Sequence, residues 1–142
     1  MSTITLGEAI DRHGVDVLDH LDRGLEVPVL AGLQLQGDVA VVPNAIANTG
    51  TATTPVPAAG VPVVRGENGG NTHLLLADGP VMFDLYDNGN ARSVVGLGVL
   101  TVPDDATAWL AHPEHGYVGI APGTYEIRRQ REQAEEERLV AD

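Results

Sequence analysis

Three histidines that stand beside carboxylates are the side chains of this sequence with the most capacity for chemistry. His73 follows the segment GENGGNT, and the segment HPEHG carries His112 and His115. Imidazole and carboxylate groups bind divalent transition metals, and an open metal site takes about three protein ligands. We therefore predict one metal site, or a polar-ligand site, formed by His73, His112 and His115. Glu67 and Glu114 are the candidates for a further ligand or a proton carrier.

Only the fold can bring these groups together, because 39 positions separate His73 from His112. Alternation along a strand would place Asn71 and His73 on one face. Pro113 interrupts a regular strand, and a bend there would let the imidazoles of His112 and His115 converge. The alternative interpretation is a tight turn in which the two later histidines bond to nearby backbone while His73 is partly buried, since buried polar side chains usually find local partners.

The composition excludes several other chemistries. The 142 residues include no cysteine and no lysine, so the chain cannot supply a thiolate nucleophile, a Schiff-base lysine or a phosphate-loop lysine. Neither of the two serines, Ser2 and Ser93, lies in a Gly-x-Ser-x-Gly motif. A formal net charge of −12 disfavours nucleic acids and anionic membrane surfaces as partners. No apolar run approaches the roughly 18 residues that span a bilayer, so we expect a cytoplasmic protein.

The N-terminal segment has a helical pattern from Thr5 to Gly24, because apolar residues recur at a spacing of three to four. Thr5 and Glu8 form a capping-box pattern, and Gly24 is a natural stop. Gly14 costs about 1 kcal/mol inside a helix and is a point at which the helix could divide in two. The apolar stripe must pack on the chain's own sheet or on a partner; it consists of Leu6, Ile10, Val17, Leu21 and Leu25.

From Val27 onward, short β-branched runs alternate with Gly, Pro and Asn, a texture typical of antiparallel β structure. The predicted strands are Val27–Leu30, Leu33–Leu35, Val39–Val42, Val61–Arg65, Thr72–Leu76, Val81–Tyr86, Arg92–Val102, Ala108–Leu110, Val118–Ile120 and Thr124–Arg129. Turns are predicted at 87–90 and 122–123, and a long surface loop at 44–60.

These elements predict a mainly β fold, a single antiparallel barrel or sandwich with an N-terminal helical segment. We place the helical segment at 1–26, the β domain at 27–130 and a charged C-terminal tail at 131–142.

Six motifs, in order, resemble a family of small uncharacterised bacterial β-proteins. They are QGDV at 36–39, GExxGxxH at 66–73, HPEHG at 112–116, GTYE at 123–126, QRE at 130–132 and VAD at 140–142. That family often has two histidines two positions apart in the second motif, where this chain has Asn71 and His73. A His/Glu group on one hairpin followed by a later histidine group is similar to cupins, which are small β-barrels. The resemblance implies a cupin-like fold and a tendency to pair, and it implies no particular activity.

Three functions remain open, in our order of preference. The first is a non-catalytic domain that binds one divalent transition metal (Zn, Fe, Ni or Mn) or a polar ligand at the His/Glu cluster. The second is a structural or self-assembly protein of a shell or virion, without a small-molecule site, which the scarcity of reactive groups favours. The third is a cupin-type metalloenzyme with the three histidines as ligands and Glu67 or Glu114 as proton carrier. We expect a homo-oligomer or a larger protein assembly.

Overall fold

The structure, a computed structural model, describes residues 4–19, 21–64, 72–86 and 96–129. Strand accounts for 48% of these residues and helix for 11%, which confirms the prediction of a mainly β protein; the helix near the N-terminus is short. In the described part, no helix is long and apolar enough to cross a membrane. The predicted turn at 87–90 and the predicted tail at 131–142 lie outside the described residues.

Helix α1 spans Leu6–His13 and is shorter than its apolar pattern predicted. It begins with the predicted capping box, in which Thr5 and Glu8 each bond to the other's backbone N–H. It ends because Gly14 adopts a left-handed conformation (φ +80°). The N–H of Gly14 donates to Ile10 O. The predicted continuation to Gly24 is wrong, since residues 15–19 and 21–24 form turns and irregular structure.

Within the described ranges, ten strands form two five-stranded sheets, and each coincides with a predicted strand to within a few residues. They are β1 (Val29–Leu30), β2 (Gln34–Gln36), β3 (Val39–Pro43), β4 (Val61–Val64), β5 (His73–Asp78), β6 (Met82–Leu85), β7 (Gly96–Val102), β8 (Thr107–His112), β9 (Gly116–Ile120) and β10 (Gly123–Arg129). The first sheet has the order β1-β9-β8-β5-β4 and the second β2-β3-β10-β7-β6. The pairing is antiparallel except between β1 and β9, which run parallel and so depart from the purely antiparallel prediction.

The main hydrophobic core takes side chains from both sheets, including Leu75 of β5, Leu100 of β7 and Leu110 of β8, all fully buried. Because side chains alternate along a strand, Trp109 and Ala111 face the other way. They belong to a second cluster, together with residues of the N-terminal segment.

That second cluster accounts for most of the apolar stripe. Leu6 and Val17 are buried in it, and Ile10 and Leu21 pack against its edge. Leu25 is 62% exposed. The segment therefore covers the outer face of the first sheet, and it does so with one short helix followed by irregular chain.

The predicted loop at 44–60 contains a short helix, α2 (Asn44–Ala47), and then runs along β6. The N–H of Val56 donates to Val81 O, and the N–H of Phe83 donates to Thr54 O. The carboxylate of Asp84 accepts the N–H groups of Thr53 and Thr54. Half of this loop is therefore fixed to the sheet.

Candidate functional site

The three predicted histidines come together at one end of the first sheet. His73 begins β5 and His112 ends β8, two antiparallel neighbours in which Leu74 pairs with Ala111. The turn at 113–115 leads from β8 into β9 and carries His115. The ring centroid of His112 lies 4.2 Å from that of His73 and 4.6 Å from that of His115. The rings of His73 and His115 are 6.0 Å apart. We call these three side chains the histidine cluster.

Strand alternation explains why two of these imidazoles are buried. His73 has the same parity as Leu75, and His112 the same parity as Leu110, so both extend the face that forms the main core. Their exposed fractions are 3% and 6%. His115 follows the strand and is exposed. The cluster is therefore a polar cap on the core that is open to solvent on the side of His115.

His73 is held in one tautomer by the backbone of β2. Its Nε2 lies 3.1 Å from Gln36 O, and a carbonyl only accepts, so Nε2 carries the proton. The ring's Nδ1 then has a bare lone pair, and in the part of the chain that the structure describes this buried atom has no hydrogen-bond partner. Burial, followed by the nearby charge of His112, lowers the pKa of His73 to about 4. At neutral pH this imidazole is uncharged, which is the form that binds metals.

His112 takes part in the local turn. Its Nδ1 accepts the backbone N–H of Glu114 at 3.1 Å. This bond is one that the alternative, local-turn interpretation expected, and it coexists with the approach of His73. The side chain of Glu114 is exposed, and Glu67 lies outside the described residues.

Gln36 belongs to the site, although sequence reasoning did not select it. Its amide Nε2 donates to Leu110 O at 3.2 Å and to Gly116 O at 3.1 Å, which are backbone groups next to the histidine cluster. Gln36 is 5% exposed, whereas its neighbour Leu35 is 57% exposed. Strand β2 thus turns its glutamines inward and its leucine outward, against the usual pattern. In the sequence, Gln36 is marked only by its place as the first residue of the motif QGDV.

Gly37 leaves room for the ring of His115. It has φ +54°, and a Cβ on it would lie 2.7 Å from His115 Nε2. Real Cβ atoms essentially never make so short a contact. The glycine therefore lets the β2–β3 turn lie directly against the exposed imidazole.

Two cavities lie near these elements. One of about 170 Å³ borders His115 and Tyr117 and extends to Leu21 and Leu25 of the N-terminal segment. A larger one of about 640 Å³ lies elsewhere, around Asp78 and Trp109. Of these two, the smaller one reaches the histidine cluster, at His115.

Among the residues that the structure describes, no three His, Asp or Glu side chains are arranged as a metal-ligand set. The rings lie tilted or stacked against one another, with interplanar angles of 17° to 37°. A shared ion would therefore need at least one ring to turn. His115 is the freest to do so because it is exposed.

The fold and the cluster define a small mainly β domain with a histidine-rich polar cap. The chain belongs to the family described as a domain of unknown function, DUF8820, whose model matches residues 35–130. The matched range includes Gln36 and all three histidines of the cluster. No curated protein and no solved structure matches the chain.

Proposed function

We propose that this protein is a non-catalytic binding domain that holds one divalent transition-metal ion at the histidine cluster. The observation that carries the proposal is the convergence of three imidazoles from β5, from β8 and from the turn after β8. We propose further that the two sheets form a cupin-like sandwich whose open end is this site.

The hydrogen bonding of His73 supports a metal in particular. Metal-binding histidines usually donate the second ring N–H to a carbonyl or carboxylate, which fixes the tautomer and orients the ring. His73 makes this bond to Gln36 O, and its unprotonated Nδ1 points away from that carbonyl. His112 would bind through Nε2, or through Nδ1 after giving up the Glu114 N–H. His115 would turn from solvent to close the set.

Three neutral nitrogen donors suit zinc, iron, nickel or manganese, with affinity rising from manganese towards nickel and zinc. Zn²⁺ is the most informative first probe, because it has no redox chemistry and accepts a distorted tetrahedral geometry. The exposed carboxylate of Glu114 is the candidate for an additional oxygen ligand.

A calorimetric titration of chelator-treated protein with Zn²⁺ tests the proposal. We expect one site per chain, and we expect His73→Ala or His112→Ala to weaken binding at least tenfold. His13→Ala is the matched control, since His13 is a largely buried imidazole at the end of α1 that lies against Trp109 and Tyr117 rather than in the cluster. No heat of binding in the wild-type protein, or equal losses in all three variants, would refute the proposal.

A second candidate, self-assembly, is favoured by one surface. Leu30, Leu33 and Leu35 are 49%, 57% and 57% exposed and lie together on the segment that forms β1 and β2. Each of these strands is at the edge of its sheet, and edge strands readily pair with other chains. Sedimentation of the wild type and of Leu33→Lys tests this candidate. An oligomer that dissociates in the variant supports it, whereas a wild-type monomer at tens of micromolar excludes it.

A further inference from the structure

Strand β2 buries two glutamines that look alike in sequence and differ in one respect. Gln34 and Gln36 are 7% and 5% exposed. The side-chain amide N–H groups of each donate to two backbone carbonyls of the first sheet. Burying an amide is unfavourable unless its polar atoms are bonded. Two donated bonds satisfy the nitrogen in both residues.

The oxygen of Gln36 is different. Both partners of its Nε2 are carbonyls, which only accept, so the orientation of the amide is fixed by chemistry. Its Oε1 then points away from them, and it is buried with no hydrogen-bond partner among the described residues. A buried acceptor left without a donor costs about 1–3 kcal/mol.

The second buried acceptor without a partner among the described residues belongs to His73, which is hydrogen-bonded to Gln36. Gln36 O accepts from His73 Nε2, and the other nitrogen of that ring, Nδ1, is the buried lone pair described above. Among the described residues, neither acceptor has a donor. A cation from outside the chain would be a partner for both.

We propose that Gln36 Oε1 is an oxygen ligand of the ion that the histidine cluster binds, giving the site a mixed set of imidazole nitrogens and one amide oxygen. This inference rests on the proposed function and extends it to the ligand set. An amide oxygen is a harder donor than imidazole and makes the site more tolerant of manganese and iron than a purely nitrogen site would be.

The test compares two conservative variants of the full chain, Gln36→Met and Gln34→Met, by titration with Co²⁺ followed in the visible spectrum. Methionine keeps the volume and removes the amide, so both variants lose two donated hydrogen bonds. We expect Gln36→Met to weaken Co²⁺ binding at least tenfold and to change the shape of the cobalt absorption bands. Gln34→Met should stay within about threefold of the wild type and leave the bands unchanged.

A second measurement needs no variant and covers the case in which Gln36→Met does not fold. The side-chain amide signals of Gln36 should shift in NMR spectra when Zn²⁺ is added, and those of Gln34 should not. Equal Co²⁺ affinity in the two variants, or amide signals of Gln36 that stay in place while the imidazole signals move, would overturn the Gln36 ligand and leave the histidine site standing. A wild-type protein that binds neither Co²⁺ nor Zn²⁺ overturns the proposed function itself.

Discussion

At the scale of the residue, His73 links the site to the stability of the fold. Its folded pKa, about 4, is below the ordinary value of 6.5, because burial disfavours the charged ring. The unfolded chain therefore binds this proton more readily than the native protein does. The stabilisation is present above pH 6.5 and is lost as the pH falls from 6.5 towards 4.

We predict that the free energy of unfolding of the metal-free protein falls by about 2 kcal/mol more, between pH 7 and pH 5, than that of His73→Gln, which has no ring to protonate. Urea denaturation at the two pH values measures the difference. Wild-type and variant profiles that run parallel would show that this imidazole is not the buried neutral group described above.

Gly37 allows a second test of one residue against another. An alanine in the left-handed region costs roughly 1–2 kcal/mol wherever it stands. Gly14→Ala, at φ +80° with nothing within 4 Å of its Cβ, measures that cost alone. Gly37→Ala also places a Cβ against the ring of His115, which is exposed and can turn away. We therefore expect a loss of stability similar to that of Gly14→Ala, together with shifted His115 ring signals and weaker Zn²⁺ binding. If the two variants affect Zn²⁺ binding equally, Gly37 does not position His115.

At the scale of the element, the strands were more predictable than the helix. Most strands contain a short run of β-branched or aliphatic residues, and β2, β5, β7 and β8 are followed directly by Gly or Pro, which stop the pairing for local reasons. The apolar spacing of the N-terminal segment continues past Gly14 in Val17 and Leu21, which suggested a longer helix. These residues pack on the first sheet without being helical. The spacing therefore predicted their burial correctly, but the helical conformation that it predicted is wrong.

The capping box of α1 gives a prediction for this element. Thr5→Ala removes the side-chain bond to the Glu8 N–H and should lower the free energy of unfolding by about 1 kcal/mol in urea denaturation. Glu8→Ala removes the two exposed bonds that its carboxylate accepts from the N–H and the hydroxyl of Thr5, and it should cost less. A Thr5→Ala protein as stable as the wild type would mean that packing on the sheet, rather than the cap, holds α1 in place.

The site itself was predictable only in part. The three histidines were predicted from their residue type and their position beside turns and carboxylates, because imidazole and carboxylate groups are suitable ligands for divalent transition metals. Their meeting depends on the register of β5 against β8, which a pattern within either strand does not contain. Gln36 was missed for a further reason: glutamine next to leucine in a strand normally indicates the solvent side, and here tertiary hydrogen bonds reverse the alternation.

At the scale of the whole molecule, the site and the fold share their parts. The histidine cluster closes the end of the main core, and Gln36 joins the second sheet to the backbone of the first. A ligand that binds only the folded chain must therefore stabilise all of it. We predict that Zn²⁺ at 100 times its dissociation constant raises the free energy of unfolding by about 2.7 kcal/mol at pH 7. The gain should vanish in His112→Ala, and an equal gain in that variant would place the ion elsewhere on this acidic chain.

The most direct test of the central claim is the metal content of the protein purified without a metal-affinity tag. The account predicts about one equivalent of zinc, iron, nickel or manganese per chain in the wild type, and its loss in a folded His112→Ala protein. A wild-type protein that carries no metal and takes up none on dialysis against Zn²⁺, or a His112→Ala protein that keeps its metal, would contradict it.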